Sequence, residues 1–307
     1  MQSALHPAGP EAAEVANLWW AMFVGSILIM ILVVGMIAWG LLRARGDEKL
    51  AGKTMIYLFG IGLPLVTLTA LIYFSVDLTT RSRSGDTVAA TIEVVGKRWW
   101  WEVRYPGAAP DGSDIITANE IRIPAGQPVE IYLSTTDVIH SFWVPAIAGK
   151  LDMIPGRLNR MVIQADEPGE YRGQCAEFCG EQHALMAFML VAQPPEEYAA
   201  WLEAQARPAP EPEDPFLARG RDAFLDAGCG TCHRVRGTTA DGVLGPDLTH
   251  VGSRLTIGAG TLPNGIGPLA GWIADSQSIK PRNLMPNFNN FDGETLRAIA
   301  AWLESLE

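Results

Sequence analysis

Residues 173–186 read GQCAEFCGEQHALM, and the rest of the chain is organised around them. Cys175, Cys179, His183 and Met186 follow one another at intervals of four, four and three. Two thiolates, an imidazole and a thioether are the soft and borderline ligands that copper prefers. His140 stands 35 residues before the first cysteine, in VIHSFWVP, a stretch that reads as a strand end. One copper does not easily use two thiolates, two imidazoles and a thioether. Two coppers bridged by both sulfurs do.

Blue-copper proteins divide their ligands in the same way, with one His on a β-sandwich and Cys, His and Met on a later loop. Here the loop carries a second cysteine. The run CAEFCGEQHALM resembles the binuclear copper (CuA) loop of cytochrome c oxidase subunit II, Cys-x-Glu-x-Cys-Gly-x-x-His-x-x-Met. The resemblance implies that Cys175 and Cys179 bridge two coppers and that His140 and His183 each bind one. It implies that Met186 completes one copper and the backbone carbonyl of Glu177 the other. It also implies that the Glu177 side chain reaches a magnesium site shared with the catalytic subunit, which the stretch LDMIPGRLN, with Asp152 and Arg157, would face. Cysteine spacing alone leaves a disulfide open; the complete ligand set is what points to metal.

The chain has 307 residues, room for two ordinary domains plus membrane segments. A net charge of −11 argues against nucleic acid as a partner, since such proteins usually show a basic face. The four cysteines, Cys175, Cys179, Cys229 and Cys232, form two close pairs, and both pairs have a cofactor reading.

Residues 1–17 are small and polar, without Lys or Arg, and read as an extracytoplasmic tail. The uncharged run 18–42 exceeds the ~20 residues that a bilayer core takes and is about twice the apolar region of a signal peptide, so a retained transmembrane helix is expected. Trp19, Trp20 and Trp39 lie near its ends, where amphipathic rings favour the interface. Arg43, Arg45, Lys49 and Lys53 follow, then a second apolar span, 54–76, interrupted by Pro64. Basic residues in the loop and none in the tail place the loop in the cytoplasm, so 18–76 is a helical hairpin with both ends outside. The expected location is a bacterial inner membrane, its lipid surrounding the two helices and the folded domains on the outer side. Many subunit II sequences carry a Glu near the start of the second helix; the matching position here is Tyr57, and the span holds no acidic residue.

From 77 to 193 short segments alternate apolar and polar residues between Gly and Pro turns. They predict a Greek-key sandwich, and the ligand arrangement narrows this to an all-β, cupredoxin-like copper domain. If Trp99, Trp100 and Trp101 lie on one strand, Trp99 and Trp101 share a face and Trp100 points away. The resemblance makes Trp99 the residue through which electrons come in, with Arg98 where the family usually has Gln.

Residues 194–215 read as a linker, a short helical piece followed by RPAPEPEDP, a composition that stays extended. The last domain, 216–307, holds Cys229-x-x-Cys232-His233, the c-type haem attachment pattern. The two thiols add to the haem vinyl groups and His233 takes the iron. For the opposite axial position His250 and Met285 are the candidates, and Met285, in NLMPNF before a final helical run, is preferred, as in small all-α class I cytochromes c. His6, in the tail, reads as solvated.

Hairpin, copper domain, linker and haem domain in this order are similar to subunit II of caa3-type oxidases. That mixed multidomain layout implies an electron-transfer subunit of an oxidoreductase. A donor, cytochrome c or one in the membrane, would reduce haem c. Electrons would then pass through CuA to subunit I of a larger complex, where oxygen becomes water. A nitric oxide reductase could use the same copper loop with another catalytic partner. A quinol oxidase subunit would lack the copper ligands, and a copper assembly factor rarely encloses the metal with so many.

Overall fold

The computed structural model describes residues 2–42, 51–81 and 87–307. Arg43, Arg45 and Lys49, expected on a cytoplasmic loop, lie outside the described residues. Helix α1 runs Pro10–Leu42, 33 residues, with no charged side chain after Glu14. A second helical run comprises α2 (Ala51–Met55), a π-helical segment (Ile56–Gly62) and α3 (Leu63–Arg81). Pro64 has no N–H and crowds the carbonyl four residues back. The wider π turn, in which the Leu63 N–H reaches back to Leu58 O, ends just ahead of it. Both runs are long and apolar enough to cross a membrane. They reach beyond the expected 18–42 and 54–76 because hydropathy marks the apolar stretch, not where helical hydrogen bonding stops.

The tail is not free. Ala8 N–H donates to Ala146 O (2.7 Å) and Ala8 O accepts from Asp166 N–H (2.9 Å), tying the start of the chain to the β domain. His6 is exposed, with Nδ1 3.1 Å from Ser3 Oγ.

Ten strands form that domain: β1 (Ala90–Lys97), β2 (Trp100–Tyr105), β3 (Ile115–Ala118), β4 (Glu120–Pro124), β5 (Val129–Thr135), β6 (His140–Trp143), β7 (Lys150–Met153), β8 (Asn159–Ile163), β9 (Gly169–Cys175) and β10 (Ala187–Gln193). They pair as two five-stranded sheets, β3-β2-β1-β5-β8 and β4-β10-β9-β6-β7. Strand β5 shows why they face each other: Val129, Ile131 and Leu133 are fully buried while Glu130 and Tyr132 alternate outward. The tryptophan triplet departs from simple alternation, because Trp99 lies in the turn before β2, outside the strand. Trp101 fills the sandwich core, and Trp99, half-buried, packs against that core from the turn.

Residues 194–215 also differ from an extended spacer. Helix α4 (Pro195–Gln205) lays Tyr198, Trp201 and Leu202 on the sandwich, with the Tyr105 and Trp201 rings 5.2 Å apart. The Pro-rich part is held by the last domain: Ala209 N–H donates to Arg236 O (2.8 Å), and Arg236 donates to the carbonyls of Gln205 and Ala206. Composition reports what a segment can do alone; here its helix packs on the sandwich and its backbone groups find partners on the last domain.

The last domain is built on α5 (Pro215–Asp226), α6 (Ile266–Ile279) and α7 (Gly293–Glu304), with a small ladder of β11 (Thr256–Ile257) and β12 (Leu262–Pro263). Asp214 and Asp292 cap α5 and α7 by accepting the first free N–H groups. Helices α5 and α7 cross at Gly220, where a Cβ would stand 2.0 Å from Ala298 O, and beside the crossing Phe224 meets Trp302 at 5.1 Å. Gly220→Val should lower stability by about 1–3 kcal/mol through overpacking, read as a lower midpoint for loss of the helical circular dichroism signal on heating. Gly293→Ala, at a helix start with open space around it, should leave that midpoint level or slightly raised.

Candidate metal centre

Strand pairing brings the two ends of the ligand set together. His140 opens β6 and Cys175 closes β9, and the register pairs Phe142 with Cys175. The loop that follows is pinched at its neck, where Cys175 N–H donates to Met186 O at 2.9 Å. Ala176 N–H donates to Ser141 O (3.0 Å), fastening the loop to β6. A 3-10 turn, His183–Leu185, folds the imidazole back towards the cysteines.

The outcome is one buried cluster. Cys175 Sγ lies 3.7 Å from Cys179 Sγ, 3.8 Å from His140 Nδ1 and 3.2 Å from Glu177 O. Cys179 Sγ lies 3.7 Å from both His183 Nδ1 and Met186 Sδ. All six groups singled out in the sequence therefore converge. The sulfurs stand well beyond the ~2.05 Å of a disulfide, yet close enough to share a metal at ordinary metal–sulfur lengths of about 2.3 Å. Two sulfurs, two ring nitrogens, a thioether and a carbonyl facing one another, with His140 and Met186 fully buried, fit a copper pair. The Glu177 side chain is exposed.

Electrostatics agree with a cation site. A hydrogen bond from Cys179 pulls the Cys175 thiol down to about 3, and the same bond with the resulting charge pushes Cys179 far up. Such a pair favours one proton over two charges side by side, and a bound metal ion would take that proton's place.

Sequence reading missed the residues that hold the ligands. Asp137 Oδ1 accepts from His140 Nε2–H at 2.8 Å, which turns Nδ1 towards the sulfurs. Burial alone would raise the Asp137 pKa. The bonds from His140, Val138 N–H and Arg98 N–H overcome it and keep the carboxylate ionised. An acidic residue three positions before a ligand histidine was the available signal. Gly96 clears space on the other side, since a Cβ there would meet His140 Cδ2 at 2.8 Å.

The second site is a cavity of about 580 Å³, within the ~300–1,000 Å³ usual for cofactors, lined by Cys229, Cys232, His233 and Met285 among apolar side chains. His233 Nδ1–H donates to Pro246 O at 2.8 Å, leaving Nε2 free for iron, and burial lowers its pKa, favouring the neutral ring. Met285 is set by its surroundings: its N–H donates to Asn283 Oδ1 (2.8 Å), and its carbonyl accepts from Ser276 Oγ and Gln277 Nε2. His250 is turned away. Its ring nitrogens lie 2.9 and 3.0 Å from the carbonyls of Glu307 and Arg207. The cysteine, histidine and methionine donors of the cavity fit a haem attached by two thioethers.

The haem cavity also opens on the copper domain. Trp99 and Trp100 line it, and Trp99 Nε1–H donates to Cys179 O at 2.9 Å.

Comparison with known proteins gives this arrangement its family. The profile described as cytochrome c oxidase subunit II, periplasmic domain, matches residues 109–193, and that described as cytochrome c matches 217–307. A cytochrome c oxidase subunit 2 from Alkalihalophilus pseudofirmus is 34% identical, over 99% of this chain and 91% of its own. The subunit 2 of Bacillus sp. (strain PS3) is 30% identical, over 82% and 72%. A crystal structure of the periplasmic domain of subunit II of cytochrome oxidase from Bradyrhizobium japonicum is 31% identical, over 38% of this chain and 93% of its own, with a TM-score of 0.36. Fold and sites define a copper-and-haem electron-transfer subunit of a haem–copper oxidase. The chain belongs to the cytochrome c oxidase subunit 2 family, with a cytochrome c domain fused behind the copper domain, and its domains imply CuA and haem c.

Asp137→Ala and Gly96→Ala should each weaken copper binding by about 10–100-fold, the usual cost of disturbing a ligand's support. Competition against a chelator of known affinity measures this, with the haem absorption unchanged as a check on folding.

Proposed function

We propose that this chain carries electrons from a donor through its haem domain to its copper site and delivers them to subunit I, where oxygen is reduced to water. The carrying observation is Trp99, which lines the haem cavity with one face of its environment and donates its indole N–H to the carbonyl of Cys179 with the other. Bound copper and haem supply the one-electron chemistry. The protein's part is to hold and shield. Cys229 and Cys232 would fix the haem covalently, with His233 and Met285 its axial ligands. His140, Cys175, Glu177 O, Cys179, His183 and Met186 would enclose the two coppers in a pinned loop, so that little rearranges when an electron arrives.

The remaining roles follow the family. The exposed Glu177 carboxylate is available to a magnesium ion shared with subunit I. The two apolar helices would sit in the lipid of a bacterial cell membrane, the copper and haem domains on its outer side. The donor would be a cytochrome c or a membrane-bound electron carrier meeting the haem domain.

The test is what accompanies the chain from its native membranes. Isolated in mild detergent, it should bring haem a beside haem c in a reduced-minus-oxidised spectrum and consume oxygen with a reduced donor. Haem b without haem a, together with nitric oxide consumption, would contradict the oxidase reading.

A further inference from the structure

The haem domain meets the copper domain through buried polar contacts, and Lys280, directly after α6, sits at their centre. It is 3% exposed, and its Nζ donates to Trp99 O (2.7 Å), Leu185 O (3.0 Å) and Gly258 O (3.1 Å). An ammonium has three protons, and here three carbonyls take them. No carboxylate neutralises it among the described residues. Burial pulls its pKa down to about 7, against the attraction of the nearby Cys179 sulfur, and an amine so buried persists only where its donors are satisfied.

Its acceptors mark its task. Trp99 O belongs to the turn that presents the indole to both sites, and Leu185 O to the 3-10 turn just before Met186. Gly258 O belongs to the haem domain itself. The neighbours of Lys280 grip the same loop: Gln182 Nε2–H donates to Pro281 O (2.5 Å), and Arg282 pairs with Glu181 (2.5 Å). Two backbone amides cross the seam nearby, Ala187 N–H to Ala259 O (3.0 Å) and Leu255 N–H to Glu120 Oε2 (2.8 Å).

We propose that Lys280 is a positioning residue for electron transfer, a latch that fastens the haem domain to the copper loop and fixes Trp99 between haem cavity and Cys179. Its place in the reaction rests on the electron route proposed above; its action as a latch does not. Removing the donors frees the Trp99 turn and lets the haem domain shift against the loop. A displacement of about 1 Å in a reacting geometry costs on the order of a hundredfold in rate.

The experiment uses the full-length chain in detergent, loaded with both cofactors, as wild type, Lys280→Met and Lys280→Arg. Methionine keeps an unbranched apolar stem and loses all three donors, whereas arginine keeps charge and donors. Hydrogen–deuterium exchange should quicken at least about tenfold at Ala187 and Leu255 in Lys280→Met, with strands β1 and β5 and helices α5 and α7 still protected. Copper reduction by pre-reduced haem should slow by at least about tenfold, with both absorption spectra unchanged and Lys280→Arg recovering most of the rate. Wild-type exchange at Ala187 and Leu255 in Lys280→Met would overturn the latch. Faster exchange with an unchanged copper reduction rate would overturn the positioning role, as would general loss of protection through α5 and α7. Failure of haem to reduce copper in the wild type would refute the electron route instead, and the exchange comparison would still decide the latch.

Discussion

Two cysteine sulfurs held 3.7 Å apart in a buried loop are the constraint on which the copper domain depends. Two thiolates that close repel each other, which holds one thiol pKa down and pushes the other up. A cationic metal removes that conflict, but only if the other ligands arrive without moving the backbone. The sandwich meets this demand by pairing β6 with β9, so that His140 and Cys175 come from neighbouring strands. The bond across the loop neck, Cys175 N–H to Met186 O, then fixes the far end. Asp137 and Gly96 set the His140 ring from its two sides. The ligands are thereby preorganised by strands and a pinned loop, the rigid support that a redox site requires.

The haem domain is arranged around the same loop. A fused donor can work as a tethered ball, relying on effective concentration, or as a docked one, relying on geometry. The contacts here belong to the second kind. The linker spends its backbone groups on Arg236, and the seam is closed by hydrogen bonds from Lys280 and Gln182, both buried. Exposed ion pairs contribute little and weaken with salt; Arg282–Glu181 is the exposed member and the most dispensable. Trp99 gains its position from this dock, with its indole anchored on the copper loop and its surroundings completed by the haem domain.

Much of this was legible in the sequence, for a physical reason. The candidate copper and haem ligands are named by side-chain chemistry and sit at short spacings, so CAEFCGEQHALM and Cys229-x-x-Cys232-His233 point to their clusters without tertiary information. Apolar runs reveal helices long enough to cross a membrane in the same local way. What failed to show depended on contacts between distant segments. Trp99 could not be removed from its strand until the turn at Arg98 was seen. The tail around Ala8 gains its order from Ala146 and Asp166, and the Pro-rich linker from Arg236. Lys280, one lysine before a proline, carries no local mark at all, because its three acceptors lie in three separate stretches of chain.

The central claim is that haem and copper sites form one fixed unit through which electrons pass internally. The direct measurement is the rate at which copper is reduced after rapid reduction of the haem in the full-length chain, followed at several protein concentrations and ionic strengths. The account predicts a single rate independent of concentration and nearly unchanged by a tenfold rise in salt, about what buried contacts allow. A rate that climbs with protein concentration, or falls steeply with salt, would mean that the domains meet by diffusion, and would contradict it.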